Sequence, residues 1–133
     1  MARKPLLLPA AAIGVVAVVG ACSQPAPLSM EADTRNYHVQ LDLDAASLGR
    51  RTASIEVTDA GREPVDAERV VVSTAMPSMD MDGPTVVAEE VEAGRYEATG
   101  ELFTMLGEST LTVRIEGGDS AAEEATFTVE AEP

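Results

Sequence analysis

Residues 37–43 read Tyr-His-Val-Gln-Leu-Asp-Leu, a stretch in which apolar and polar side chains alternate. A period of two is typical of a β-strand that buries one face and exposes the other. The odd-numbered positions therefore face a core, and the even-numbered ones, His38 among them, face solvent. This stretch decides the fold, because the same pattern returns along the rest of the chain.

Further segments with this pattern, or with short runs of branched apolar residues, are found at 53–57, 70–76, 86–91, 96–103, 111–115 and 125–129. Glycine-bearing turns lie between them, and no segment after residue 21 shows a sustained helical period. Seven short strands separated by close turns predict an all-β fold, an antiparallel β-sandwich.

The N-terminal stretch predicts export. Arg3 and Lys4 precede an uncharged apolar run over residues 5–19, and residues 19–22 read Val-Gly-Ala-Cys. A basic start, an apolar run and small residues before a cut form a secretory signal. Residues 19–22 resemble the cleavage box of bacterial lipoproteins. This resemblance implies cleavage before Cys22 and a lipid on its sulfur. An uncut membrane anchor is the alternative, since the run has about the minimum length for a spanning helix, roughly 18 residues.

These features predict a signal peptide at residues 1–21, a lipid-bearing tether at 22–35 and one domain at 36–133, held to a membrane outside the cytoplasm. The tether segment is polar and carries prolines, as extended linkers do. Cys22 is the single cysteine, so the domain has no internal disulfide and its stability must come from packing.

Charge and composition exclude some functions. The net charge of −14 predicts repulsion from nucleic acid. The chain has one histidine, no Gly-x-Ser-x-Gly motif and no glycine-rich phosphate loop. We therefore expect a protein that is not an enzyme.

Residues 76–83, Met-Pro-Ser-Met-Asp-Met-Asp-Gly, hold three of the six methionines. In an extended chain Met79 and Met81 share one side, with about 7 Å between them along the backbone. Thioethers are soft ligands that select Cu(I), and they cannot be lost to disulfides in an oxidising compartment. Met76, Met79 and Met81 are therefore candidate Cu(I) ligands. The alternative is that they fill gaps in the core, as Met76 would if it continued the inward face of its strand.

Two further residues are weaker candidates for the copper site. His38 is either a surface histidine or an additional ligand, if the methionine segment folds over its strand. Met105, at the end of a strand, is either a core residue or another thioether ligand.

A calcium site is a rival interpretation of the same segment. Ser78, Asp80, Asp82, Gly83 and Glu89 follow most of the spacing of a calcium-binding loop over residues 78–89. Serine at the first ligand position and the strand-like flanks count against this interpretation.

Four stretches resemble the YtkA-like domain, a relative of the FixH proteins. They also resemble the modules appended to CopC-like copper-resistance proteins. These stretches are residues 70–81, 94–96, 102–107 and 111–115. The resemblance covers residues 37–131 and implies an immunoglobulin-like sandwich that handles copper or assists oxidase assembly outside the cytoplasm. One departure is that the tryptophan of the family pattern falls on Ser109, so a core or pocket anchor is missing.

Two functions follow as hypotheses. The first is a lipid-anchored copper chaperone or buffer, which holds Cu(I) in the methionine segment and exchanges it with a donor or recipient protein. The second is a metal-free interaction or scaffold module, which docks to a membrane complex through the same apolar segment.

Overall fold

The computed structural model describes residues 26–117 and 121–133. The predicted signal peptide and the predicted lipidation site at Cys22 lie outside this part of the chain. Its nine strands are β1 Leu28–Asp33, β2 His38–Leu43, β3 Arg51–Thr58, β4 Arg69–Met76, β5 Met81–Val87, β6 Glu89–Glu92, β7 Arg95–Gly100, β8 Gly107–Glu116 and β9 Glu123–Ala131.

Two antiparallel sheets form a sandwich. One has five strands in the order β1-β2-β3-β7-β6, and the other has four in the order β5-β4-β8-β9. The side chains that meet between the sheets alternate along their strands, and the fully buried ones include Val39, Leu41, Ile55, Val72, Leu111 and Val113. The predicted immunoglobulin-like antiparallel sandwich is therefore confirmed, with nine strands within residues 26–117 and 121–133 in place of about seven.

The predicted tether at residues 22–35 is wrong for residues 28–33. These residues form β1, which pairs along its whole length with β2, from Leu28 opposite Leu43 to Asp33 opposite His38. Leu28, Met30 and Ala32 are half-buried and pack against the core, whereas the residues between them are exposed. The domain therefore begins before residue 36.

The predicted strand at 86–91 is two strands in different sheets. β5 ends at Val87 and β6 begins at Glu89, and Ala88 between them donates a backbone hydrogen bond to the carbonyl of Val70. The predicted strand at 96–103 ends at Gly100, and residues 101–106 instead cross from the five-stranded sheet to the four-stranded sheet.

The sandwich has two ends with different connections. We call the end formed by residues 44–50, 77–80 and 101–106 the methionine end. The opposite end, formed by residues 34–37, 59–67 and 93–94, is called the far end. β8 has ten residues, so at about 3.3 Å per residue the two ends are roughly 30 Å apart.

No helix in the described part of the chain has the length and apolar character that a membrane crossing requires.

Candidate functional site

The methionine segment is the turn of a β-hairpin. β4 ends at Met76, Pro77–Met79 form one turn of 3-10 helix, and β5 begins at Met81. Pro77 suits the first position of this turn because its φ is fixed and it needs no hydrogen-bond acceptor. Asp80 adopts a left-handed conformation with a φ of 52° and donates its backbone N–H to the Pro77 carbonyl at 3.1 Å. The local sequence therefore forms a tight, closed turn.

The hairpin places Met76 and Met81 directly opposite each other. Residues opposite each other on antiparallel strands point to the same face of the sheet. Both side chains line one cavity of about 10 Å³. Met76 is buried at 9% exposure, as the sequence predicted, whereas Met79 and Met81 are 49% and 43% exposed.

The crossing segment 101–106 lies beside this hairpin. Leu102 and Phe103 are buried, and the Thr74 hydroxyl donates to the Leu102 carbonyl at 2.7 Å in the protein interior. Half-buried Met105 follows them, and a Cβ placed on Gly107 would lie 3.7 Å from Cε of Met76. The fold therefore brings Met105 to the same end of the sandwich as Met76, Met79 and Met81.

Ser109 is the residue at which the family resemblance implies a tryptophan. Its side chain is buried and lines the same small cavity as Met76 and Met81. The sandwich therefore closes around a small polar residue at this point.

Hydrophobic exposure at this end is a feature that the sequence patterns did not indicate. Leu106 is 51% exposed and Leu48 is 36% exposed, and both lie at the methionine end. Met79 and Met81 are exposed at the same end, and we call these four exposed apolar residues the apolar tip. A period-two pattern does not identify Leu48 and Leu106 because they lie in loops.

His38 does not belong to the methionine site. It pairs with Asp33 and Thr58 near the far end, whereas the methionine turn closes the opposite end. The suggestion that His38 is a further copper ligand is therefore wrong, because strand order places the two groups at opposite ends of the sandwich.

His38 instead lies between two carboxylates. Its Nδ1 is 2.6 Å from Asp33 and its Nε2 is 2.8 Å from Glu31. Because carboxylates only accept, an imidazolium that donates from both nitrogens satisfies both contacts. These contacts, that of Asp33 first, raise the pKa of His38 above its ordinary value, and burial opposes them. As predicted, the side chain points away from the core, at 41% exposure.

The calcium interpretation of residues 78–89 is wrong. Most of the segment is strand β5 and not a loop that could wrap around an ion. Asp82 lies in β5 and Glu89 in β6, which belong to different sheets. Across residues 26–117 and 121–133, no three or more His, Cys, Asp or Glu side chains come together as a group that could hold a metal.

The Gly-Arg-Tyr motif at 94–96 fixes the far end. Gly94 has a φ of 75°, and a Cβ there would lie 2.7 Å from Cβ of Pro64 and 3.0 Å from the Val57 carbonyl. The Tyr96 hydroxyl donates to the Val65 carbonyl at 2.9 Å and accepts from the Ala67 N–H at 2.8 Å. Burial raises the pKa of Tyr96. The motif therefore has a structural role, in which it holds the connection between β3 and β4.

Glu123 ties the two sheets together at the same end. Its Oε1 accepts from the Thr34 hydroxyl at 2.6 Å and from the backbone N–H of Asn36 at 2.9 Å. The bond with Thr34 is the largest of the effects that lower the pKa of Glu123. A groove of about 860 Å³ runs beside this region, and charged side chains of both signs, such as Arg62 and Glu56, line it.

The domain is similar to a solved structure, a DUF4785 family protein from Legionella pneumophila subsp. pneumophila str. Philadelphia 1. The TM-score is 0.50 at 13% sequence identity, over 71% of this chain and 28% of that protein. This chain therefore spans less than a third of that protein's length, and the likeness shows the fold alone. No curated protein matches the sequence.

Residues 31–114 match the sequence profile of the YtkA-like family. The match begins within β1 and ends within β8, so it includes the methionine turn, Gly94 with Tyr96, and the crossing segment 101–106. It covers more than half of the sequence, and the chain therefore belongs to the YtkA-like family.

Proposed function

We propose that this YtkA-like domain is a membrane-tethered module that binds one Cu(I) at its methionine end and acts as a copper chaperone or buffer. The observation that carries the proposal is the cross-strand pair of Met76 and Met81, which face one cavity on either side of the turn that holds Met79. Met105 is the candidate for a fourth thioether. Binding, not catalysis, is the activity proposed.

The donor set fits Cu(I) in its chemistry. Thioether sulfur is soft and uncharged, so it needs no deprotonation before it binds. Methionine side chains are unbranched and flexible, so exposed Met79 and Met81 can turn towards Met76 at low cost. The exposed carboxylates of Asp80 and Asp82 lie next to them and favour a cation at this position.

The tether and the location are part of the proposal. The run Val-Gly-Ala-Cys at 19–22, behind a basic and apolar leader, supports cleavage before Cys22 and a lipid on its sulfur. Intact-mass analysis of the protein purified from membranes tests this point. An unmodified Cys22, or a chain that still carries residues 1–21, would contradict it.

The copper site is tested by replacing Met79 and Met81 with Leu. The exchange keeps volume and apolarity at two exposed positions, so we expect the free energy of unfolding to change by less than about 1.5 kcal/mol. Binding of Cu(I), measured by competition against a Cu(I) chelator under reducing conditions, should be lost. Zn(II) and Ca(II) should not compete, because they prefer imidazole, thiolate or oxygen ligands.

Met30→Leu is the matched control, because Met30 lies in β1, outside the methionine end. This variant should bind Cu(I) as the wild type does. If the wild type and the Met79→Leu/Met81→Leu variant bind Cu(I) equally, the methionine turn is not the site.

That result would favour a second function, a metal-free docking module. The observation behind it is the apolar tip, where Leu48, Met79, Met81 and Leu106 are exposed together at one end of a β-domain.

A further inference from the structure

We infer that the methionine end faces the lipid bilayer and that the apolar tip contacts uncharged lipid. This inference rests on the tether at Cys22 that forms part of the proposed function, and it is independent of copper. The inference gives the orientation of the domain relative to the bilayer, with the methionine turn next to the membrane surface.

The topology brings the chain into the domain at the methionine end. β1 starts at Leu28, which pairs with Leu43, and Leu43 pairs in turn with Ala53. Ala53 pairs with Ala98, two residues before β7 ends at Gly100 and the crossing segment begins. β1 then runs away from this end, and its turn at residues 34–37 contacts Glu123 at the far end.

The link between Cys22 and Leu28 is short. Six residue steps at about 3.3–3.6 Å each span at most about 20 Å, so a lipid on Cys22 holds Leu28 within that distance of the bilayer. Leu28 is the first of the six residues of β1, so it lies about 17 Å from the start of the turn at the far end. A domain that stood on its far end would therefore need the link almost fully extended, whereas contact through the methionine end lets the link stay relaxed.

The positions of the exposed apolar side chains distinguish two orientations. In one the domain contacts the bilayer through its methionine end, and in the other through the edge that carries β5 and β6. The exposed large apolar side chains at the methionine end are Leu48, Met79, Met81 and Leu106. Exposed Val87 and Val91 lie along β5 and β6, and β6 is at the opposite edge of its sheet from β1. Contact through that edge would place the start of β1 away from the bilayer, whereas contact through the apolar tip places it beside the bilayer.

Charge around the apolar tip sets the kind of lipid. Asp80, Asp82, Glu101 and Glu108 are exposed near it, so anionic headgroups would repel this end. Zwitterionic headgroups carry no net charge and allow the apolar side chains to reach the interface. The inferred occupant is therefore the surface of a zwitterionic bilayer.

Single tryptophan reporters test this orientation, because the chain contains no tryptophan. Ser78→Trp places a reporter in the methionine turn, and Ala60→Trp places one in an exposed turn at the far end. The chain from Cys22 onward is coupled through its single thiol to a maleimide-bearing lipid in phosphatidylcholine vesicles that contain brominated acyl chains. Chemical coupling makes the result independent of lipidation in the cell and of metal.

We expect the Ser78→Trp protein to lose fluorescence to the brominated lipid, and the Ala60→Trp protein to keep the intensity of its uncoupled form. Equal quenching of the two reporters would overturn the orientation. Quenching of neither would overturn lipid contact and leave the apolar tip open to a protein partner.

Two further arms examine the contact itself. The first adds Leu48→Ser and Leu106→Ser to the Ser78→Trp protein. We expect weaker quenching, and neither substitution alters a proposed copper ligand. Unchanged quenching would show that the apolar tip does not contact lipid. Phosphatidylglycerol in the vesicles should also weaken the quenching at low salt, with recovery as salt is added. Stronger quenching with anionic lipid would contradict the inferred headgroup.

Discussion

The two ends of the sandwich are built in different ways. At the far end, polar contacts fix the connections, since Glu123 holds the β1–β2 turn and the Tyr96 hydroxyl holds the connection between β3 and β4. At the methionine end, Leu102 and Phe103 are buried, and several large apolar side chains are exposed, namely Leu48, Met79, Met81 and Leu106. The far end is thus held by side-chain hydrogen bonds, whereas the methionine end exposes large apolar side chains.

This division follows a general property of β-sandwiches. Binding residues tend to lie on loops that a rigid scaffold positions. Here Met79, in a short turn between two paired strands, has a fixed backbone and a free side chain. Substitutions at the far end should therefore act on stability, and substitutions at the methionine end should act on binding.

The largest expected difference between the ends concerns two glycines with positive φ. Gly94→Ala at the far end forces a Cβ to within 2.7 Å of Pro64 and also adds backbone strain. We expect the free energy of unfolding to fall by about 2–4 kcal/mol. In Gly49→Ala at the methionine end, the added Cβ would lie 3.5 Å from its nearest neighbour. We therefore expect only the cost of backbone strain, about 1 kcal/mol. Urea denaturation measures both, and equal losses would contradict the comparison.

Tyr96→Phe tests the two hydrogen bonds by which the Tyr96 hydroxyl holds the connection between β3 and β4. The substitution keeps the ring but leaves the Val65 carbonyl and the Ala67 N–H without their partner. We expect a loss of about 2 kcal/mol in the free energy of unfolding, with Cu(I) binding unchanged. Tyr37→Phe is the control, since the Tyr37 side chain has no such pair of backbone contacts among the described residues. If the Tyr96→Phe protein is as stable as this control, the hydrogen bonds of the Tyr96 hydroxyl do not stabilise the far end.

Thr74→Val tests the buried hydrogen bond at the methionine end. The change keeps the shape of the side chain and removes the donor to the Leu102 carbonyl. Because one buried acceptor is left unpaired, a loss of about 1 kcal/mol is expected. Cu(I) affinity should fall as well, since the same contact holds the segment that carries Met105. Unaltered affinity would mean that Met105 and its segment do not contribute to the site.

The smallest expected effect is a dependence on pH at His38. Its pKa is raised in the folded protein, so its contribution is fully present below the unfolded value of about 6.5 and is lost as pH rises through the folded value. His38→Gln should therefore cost stability at about pH 5.5 and very little at about pH 8.5. Urea midpoints at the two pH values measure this, and a cost that does not vary with pH would exclude the ionic pairing with Asp33 and Glu31.

The sequence predicted those parts of the fold that depend on local pattern. Strict alternation identified β2 and β8, and the inward position of Met76 followed from its place after Val70 and Val72. β1 was missed because Leu28, Met30 and Ala32 are only half-buried and follow two prolines, so the segment has the composition of a linker.

The arrangement of the candidate site could be predicted only in part. Met76, Met79 and Met81 are close in sequence, so one turn brings them together. The separation of His38 from them depends on strand order, which is a long-range property. The approach of Met105 depends likewise on the buried anchor residues Leu102 and Phe103, which the sequence assigned to a strand.

Strand β6 has a consequence for the solubility of the protein. It forms an open edge of the five-stranded sheet and reads Glu-Glu-Val-Glu, with every residue exposed. An unpaired edge can add strands from other molecules, and clustered like charges oppose such pairing. Replacement of Glu89, Glu90 and Glu92 by Gln removes this opposition, and the exposed Val91 then favours the contact. We therefore expect this triple variant to associate edge to edge while its two sheets are still folded.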